Sequence, residues 1–278
     1  MGAVAYDAKV VTIWDGFQQY FTTRGLPFDY VLFSNYERQV EAHLSGQIHV
    51  AWNSPLAWLQ TERTAQRLGR RAEAICMRDS DRDLTSIVLV RSDSAIAGVD
   101  GLRGKTVAVG ANDSPQATLI PLNHLAQQGL KPHDDFRVMA FDVLVGKHGD
   151  HIGGERDAVR ALIHGDADAA CLLDSNHLRF TREGTIPTGS ARILTQTSPF
   201  DHCNFTVLDD APPDLIARFR NLLLAMSYSD AEVRPLLDLE GLKQWVPGRT
   251  SGYRELAAAI DRFETIEPFI NDVLIRCA

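Results

Sequence analysis

Cysteine is scarce and scattered: Cys76, Cys171, Cys203 and Cys277 are the only four in 278 residues, and no two form a C-x-x-C pair. That spacing does not read as a disulfide framework or a structural zinc site. Basic blocks are missing as well. With 28 Lys and Arg against 36 Asp and Glu the formal net charge is -8, so nothing supplies the phosphate footprint that nucleic acid requires. Apolar runs such as Ile87-Val-Leu-Val90 fall far short of a bilayer span, and no membrane insertion is expected. No low-complexity tract interrupts the chain, and 45% hydrophobic with 23% charged residues is the composition of a globular protein. The first residues do not read as a leader. Met1-Gly-Ala-Val-Ala-Tyr-Asp7 passes straight into strand-like residues without a basic segment or cleavage site. The chain as it stands is expected in the cytoplasm, and in the periplasm if a signal peptide preceded it and was removed.

What is present is alternation. Asp29-Tyr-Val-Leu-Phe33 reads as a strand, and Ser34-Asn-Tyr-Glu37 as a helix start with Ser34 as cap. Ile48-His-Val-Ala-Trp52 is a second strand, leading to Asn53-Ser54-Pro55, with proline suited to a first helical turn. Thr106-Val-Ala-Val109 is a third, followed by the cap-and-proline sequence Asn112-Asp-Ser-Pro-Gln116. This pattern predicts an α/β fold with mainly parallel strands. The length exceeds what one compact core usually holds, so two lobes are expected. Trp14, Trp52, Trp58 and Trp245 are expected in the core.

The segment Tyr36-Glu-Arg-Gln-Val-Glu-Ala-His-Leu-Ser-Gly46 through Trp52-Asn-Ser-Pro55-Leu-Ala-Trp58 resembles the first-lobe signature of the phosphonate-type periplasmic binding proteins of ABC transporters. Leu102-Arg-Gly-Lys105-Thr-Val-Ala-Val109-Gly is similar to the opening of that family's second lobe, and Gly165-Asp-Ala-Asp168-Ala to its recurrent Gly-x-x-Asp-Ala turn. The resemblance implies a type 2 periplasmic-binding-protein fold: two α/β lobes joined by two crossover strands, with a small molecule held in the cleft. Lobe one would comprise 1–88 plus 193–278 and lobe two 89–192, with Leu84–Val90 and Arg192–Gln196 crossing over. The resemblance also implies hinge closure on the ligand and, if the protein is secreted, an ABC transporter permease as partner. No cofactor or metal is expected.

Helix starts carry the expected chemistry. In parallel α/β sheets ligands gather beyond the carboxyl ends of the strands, where unpaired N–H groups and the positive helix end receive anions without a basic side chain. Ser34, Asn35 and Tyr36, then Asn53 and Ser54, then Ser114, Gln116 and Thr118 are three such groups. Tyr6, Lys9 and Asp174 follow strands and join them. The third start departs from the family, whose phosphonate binders show a Ser-Thr-Ser-Gly-like run where this chain has Asp113-Ser-Pro-Gln-Ala-Thr118. Carboxylates, sulfur oxyanions and polar organic molecules therefore stay open beside phosphonates. The loop Asp142–Glu155 concentrates Lys147, His148, Asp150, His151 and Glu155 among glycines. Ligand contact by Lys147, His148 and His151 is the favoured reading, a solvated loop the second, and a mixed metal site of His148, Asp150, His151 and Glu155 the third. Cys203 beside His202 supports an alternative: a cytosolic enzyme on the same fold, with Cys203 as nucleophile and a His from the 148–151 loop as base. Consecutive residues of a strand face opposite ways, so His202 itself pairs with Cys203 only if the chain turns there.

Overall fold

The computed structural model describes residues 1–277. In chain order the elements are β1 (Gly2–Val4), α1 (Lys9–Thr23), β2 (Val31–Phe33), α2 (Tyr36–Leu44), β3 (Val50–Asn53), α3 (Pro55–Arg67) and β4 (Ala72–Arg78). Then come β5 (Ser86–Arg91), β6 (Thr106–Val109), α4 (Ile120–Gln127), β7 (Arg137–Ala140), α5 (Gly153–His164), β8 (Ala169–Leu173), α6 (Asp174–Arg182) and β9 (Ala191–Gln196). The last are β10 (Asn204–Leu208), α7 (Pro213–Leu224), α8 (Arg234–Glu240), β11 (Trp245–Pro247), α9 (Arg254–Phe263) and α10 (Glu267–Cys277).

Two compact units result. Residues 1–82, 201–253 and 265 onward form the first, and residues 83–200 with 254–264 the second. Each has its own sheet, ordered β11-β4-β10-β3-β1-β2 in the first and β7-β6-β8-β5-β9 in the second. The strands are less uniformly parallel than their alternation with helices predicts. In the first unit β1, β2 and β3 are parallel, but β10 lies antiparallel to both β3 and β4. In the second β6 is parallel to β7 and β8, while β5 is antiparallel to β8 and β9. Periodicity marks a strand without revealing its direction, so the inserted antiparallel strand is invisible in sequence.

The expected crossover segments, β5 and β9, pair with each other inside the second sheet, and the unit boundaries fall a few residues outside them. Helix α9 also belongs to the second unit, where Arg262 donates to Asn123 Oδ1 of α4 at 2.7 Å.

The first core is aromatic. Phe205 on β10 lies 4.6 Å from Trp52 and 5.2 Å from Trp245, ring centre to ring centre. Trp14, Trp52, Trp58 and Trp245 are all buried. The second core is aliphatic, built from β5, β6 and β8 around residues such as Val88, Leu89, Val107 and Leu172.

Candidate functional site

The carboxyl edge of the first sheet is shaped by three consecutive strand ends. Beyond β1, Asp7 Oδ1 accepts from Lys9 N at 2.9 Å, and the Lys9 ammonium sits 5.8 Å from the centre of the Tyr6 ring. Beyond β2, the cap of α2 is Asn35, whose side chain accepts from Arg38 N at 2.9 Å. Ser34, expected as cap, is the exposed residue before it. Tyr36 is buried in the core. Beyond β3, Ser54 caps α3 by accepting from Ala57 N at 3.1 Å, and Pro55 fills the first turn.

Asn53 is drawn inward. Its amide belongs to a chain of hydrogen bonds running through the buried edge of the first unit. Gln39 donates to Asn53 Oδ1 (2.8 Å), Asn53 Nδ2 to Thr206 Oγ1 (2.9 Å) and Thr206 to Asn204 Oδ1 (2.7 Å). Asn204 Nδ2 then donates to the Tyr253 hydroxyl (2.8 Å), which donates to the His202 carbonyl (2.9 Å). Every link points the same way, so each polarises the next. Burial and its carboxylate neighbours hold the Tyr253 phenol well above its ordinary range.

This chain ends beside a charged cluster that hydrophobic patterning does not reveal. Asp81 follows β4 in a single 3₁₀ turn, Asp79–Asp81. It receives two hydrogen bonds from the Arg78 guanidinium, at 2.5 and 2.9 Å, and Arg78 also reaches Glu240 at 3.3 Å. Buried Asp201 pairs twice with Arg249 at 2.6 Å. The charges of both arginines are thus met by carboxylates. The only sequence signal is the charged run Arg78–Asp83 directly after an apolar strand.

Cys203 lies just before β10, and its Sγ is 3.1 Å from His202 Nδ1. The two side chains therefore share a side, against the simple strand expectation. Asp81 Oδ1 approaches the same ring nitrogen at 3.7 Å. A nucleophile–base–carboxylate relay uses both nitrogens of the imidazole. Here thiol and carboxylate converge on one, and the enzyme alternative gains no support.

In the second unit, Ser114 caps a π-helical turn, Pro115–Leu119, that runs into α4, with Ala117 N donating to its hydroxyl at 3.2 Å. Thr118 turns inward and donates to Ala111 O at 2.7 Å. The Gln116 amide donates to Gly149 O at 2.7 Å and to Glu155 Oε1 at 3.3 Å. Glu155 Oε2 accepts from Leu173 N (3.0 Å) and Asn176 Nδ2 (2.8 Å). Burial raises the Glu155 carboxyl above its ordinary value against the pull of these donors. The loop before α5 thus lies on the start of the π-turn. Gly149 has φ +80°, and a Cβ there would fall 2.4 Å from Ser114 Oγ.

His148 is fully buried, with a positive φ of 48°. His151 Nδ1 accepts from Gly153 N at 3.1 Å, and burial lowers the Lys147 ammonium, with Asp150 opposing it. Asp174 is the first residue of α6 and makes no side-chain cap. Among the described residues the loop's His and acids do not assemble into a metal-ligating group. Glu155, weighed from sequence only as a metal ligand, instead organises Gln116 and Asn176.

A chain that twice gathers strand ends and helix starts at a carboxyl edge, with polar side chains at each, has the build of a small-molecule-binding protein. Comparison with known proteins agrees. The family described as "ABC transporter, phosphonate, periplasmic substrate-binding protein" matches residues 3–253. The chain belongs to that family. Among solved structures it is similar to PhnD1 from Prochlorococcus marinus in complex with methylphosphonate, at 16% identity and a TM-score of 0.70, covering 95% of this chain and 97% of that one. It is also similar to XAC2383 from Xanthomonas citri bound to ATP, at 17% identity and a TM-score of 0.73, covering 95% and 96%. The periplasmic aliphatic sulphonate binding protein SsuA from Escherichia coli matches at 17% identity and a TM-score of 0.55, covering 94% and 81%. These likenesses show the shared fold of two α/β units. Among the described residues no helix is long and apolar enough to cross a membrane.

Proposed function

We propose that this chain is the periplasmic receptor of an ABC importer for a small organic oxyanion, handing its ligand to a membrane permease. Methylphosphonate, an alkylsulfonate or a phosphate ester represents the ligand class, in keeping with what the structural relatives are described as binding. One observation carries the reading. Parallel strands β2 and β3 feed directly into the capped helices α2 and α3 at one edge of the first sheet. The positive ends of α2 and α3 therefore lie at the same sheet edge as Arg78, whose charge is already met by carboxylates, as is that of Arg249. An acidic ligand group is held there by neutral donors, chiefly Ser34 and the first N–H groups of α2, rather than by an ion pair. The second unit offers its own set of polar residues in Ser114, Gln116, Lys147, His148 and His151. A net charge of -8 gives no long-range attraction for anions, so affinity rests on these local dipoles.

A thermal-shift screen of methylphosphonate, phosphite, ethanesulfonate, adenosine monophosphate and acetate tests this. A ligand present at about 100 times its Kd adds about 2.7 kcal/mol to the folded state. A shift with a phosphonate, sulfonate or phosphate ester is expected. No shift with any of the five overturns the reading.

A further inference from the structure

The geometry points to a second binding feature in the first unit, distinct from oxyanion binding: we propose that Asp81, His202 and Cys203 form a site for one divalent ion of the zinc class.

Neighbouring strand ends bring the three together. Asp81 follows β4, Cys203 precedes β10, and the two strands are antiparallel partners with Phe205 opposite Cys76. His202 N donates to Asp81 O at 2.8 Å, closing the corner. One ligand atom from each of Cys203, His202 and Asp81 lies within 4.8 Å of the other two, with 3.1 Å between Cys203 Sγ and His202 Nδ1 and 3.7 Å between His202 Nδ1 and Asp81 Oδ1. A tetrahedral zinc with Zn–S of about 2.3 Å and Zn–N and Zn–O of about 2.0 Å separates these pairs by roughly 3.5 and 3.3 Å. The donors thus lie near coordination spacing. A sulfur, an imidazole nitrogen and a carboxylate oxygen are also the donor types zinc takes. Their convergence on a single ring nitrogen, which defeats a proton relay, is what ligands aimed at a common centre produce.

Charge supplies an independent reason. Asp81 and Glu240 are both almost fully buried, and Arg78 engages both. A divalent cation held by the Cys203 thiolate and Asp81 places positive charge beside these buried carboxylates, where it is favoured away from water. On binding, the Cys203 S–H bond is replaced by an S–metal bond and the proton passes to solvent. Arg78 Nε on Asp81 Oδ2, and the Tyr253 hydroxyl on the His202 carbonyl, steady the ligands.

The test is titration of reduced, metal-stripped protein with Co²⁺. One ion per chain should give the visible bands of four-coordinate cobalt and a near-ultraviolet sulfur-to-cobalt charge-transfer band. Zn²⁺ should displace the cobalt and abolish both. In Cys203→Ser the charge-transfer band should vanish, while Cys171→Ala should retain it. Because Cys203 is a core residue, X-ray absorption of Zn²⁺-loaded wild-type protein provides a reading that needs no variant: one sulfur and otherwise nitrogen or oxygen neighbours are expected. Absence of the charge-transfer band in wild-type protein, its persistence in Cys203→Ser, or a zinc shell without sulfur would each overturn the assignment.

Discussion

The Asn204 side-chain amide donates to the Tyr253 hydroxyl at 2.8 Å, joining the start of β10 to the 3₁₀ turn Ser251–Tyr253. The phenol passes a hydrogen bond on to the His202 carbonyl, so one oxygen completes a line of donors that begins at Gln39. Tyr253→Phe leaves a buried donor and a buried acceptor unpaired. A loss of about 2 kcal/mol is expected, read as a lower urea midpoint with an unchanged m-value.

Arg78 holds two buried carboxylates. Arg78→Met should cost roughly 3–5 kcal/mol by removing the guanidinium that buried Asp81 and Glu240 share. Combining it with Asp81→Leu and Glu240→Leu should recover most of that loss. Thermal unfolding of the single and triple variants distinguishes a charge effect from a packing effect, since packing alone predicts that the triple variant is the worse.

Burial pushes the His43 imidazole down from an ordinary 6.5 to about 4. The folded state accepts the neutral ring, so its contribution is complete above pH 6.5 and is lost as pH falls toward about 4, because the unfolded chain takes up the proton first. The depression corresponds to roughly 3 kcal/mol. Urea unfolding measured from neutral pH down through that window should show the decline, and His43→Gln should flatten its slope whatever its effect on absolute stability.

The sequence makes the helix starts legible because capping is local chemistry: Asn35, Ser54-Pro55 and Ser114-Pro115 stand where short-range rules put them, with the first cap one residue along from Ser34. Strands β2, β3 and β6 are legible as short apolar runs before those caps. The Arg78–Asp81–Glu240 cluster and the hydrogen-bond chain from Gln39 to His202 are not. Their members lie as far apart as positions 39 and 253, and the link from Asn53 to Tyr253 runs through the inserted antiparallel strand β10, whose direction no periodicity encodes. Glu155 was visible as an acid in a glycine-rich loop. Its role under Gln116 depends on the carboxyl end of β8 lying alongside.

At Gly149 the backbone and the surroundings both demand the lack of a side chain. Gly149→Ala meets an unfavourable φ and contact with Ser114 and Gln116, so it should lift the loop from the π-turn. Hydrogen exchange at residues 144–151 should quicken while β6 and β8 stay protected. Unaltered exchange in that loop would mean that the contact with Gln116 does not hold it.

Whether neutral donors at the start of α2 hold the ligand's acidic group is tested most directly by calorimetric titration of wild-type and Ser34→Ala protein. The titrant is whichever of methylphosphonate, phosphite, ethanesulfonate, adenosine monophosphate or acetate gives the largest thermal shift. Asn35, not Ser34, caps the helix, so the variant should keep the wild-type Tm. The account predicts one site per chain in the wild type and affinity weakened about tenfold or more in Ser34→Ala, a difference of about 1.4 kcal/mol. Equal affinity in the two proteins would contradict it.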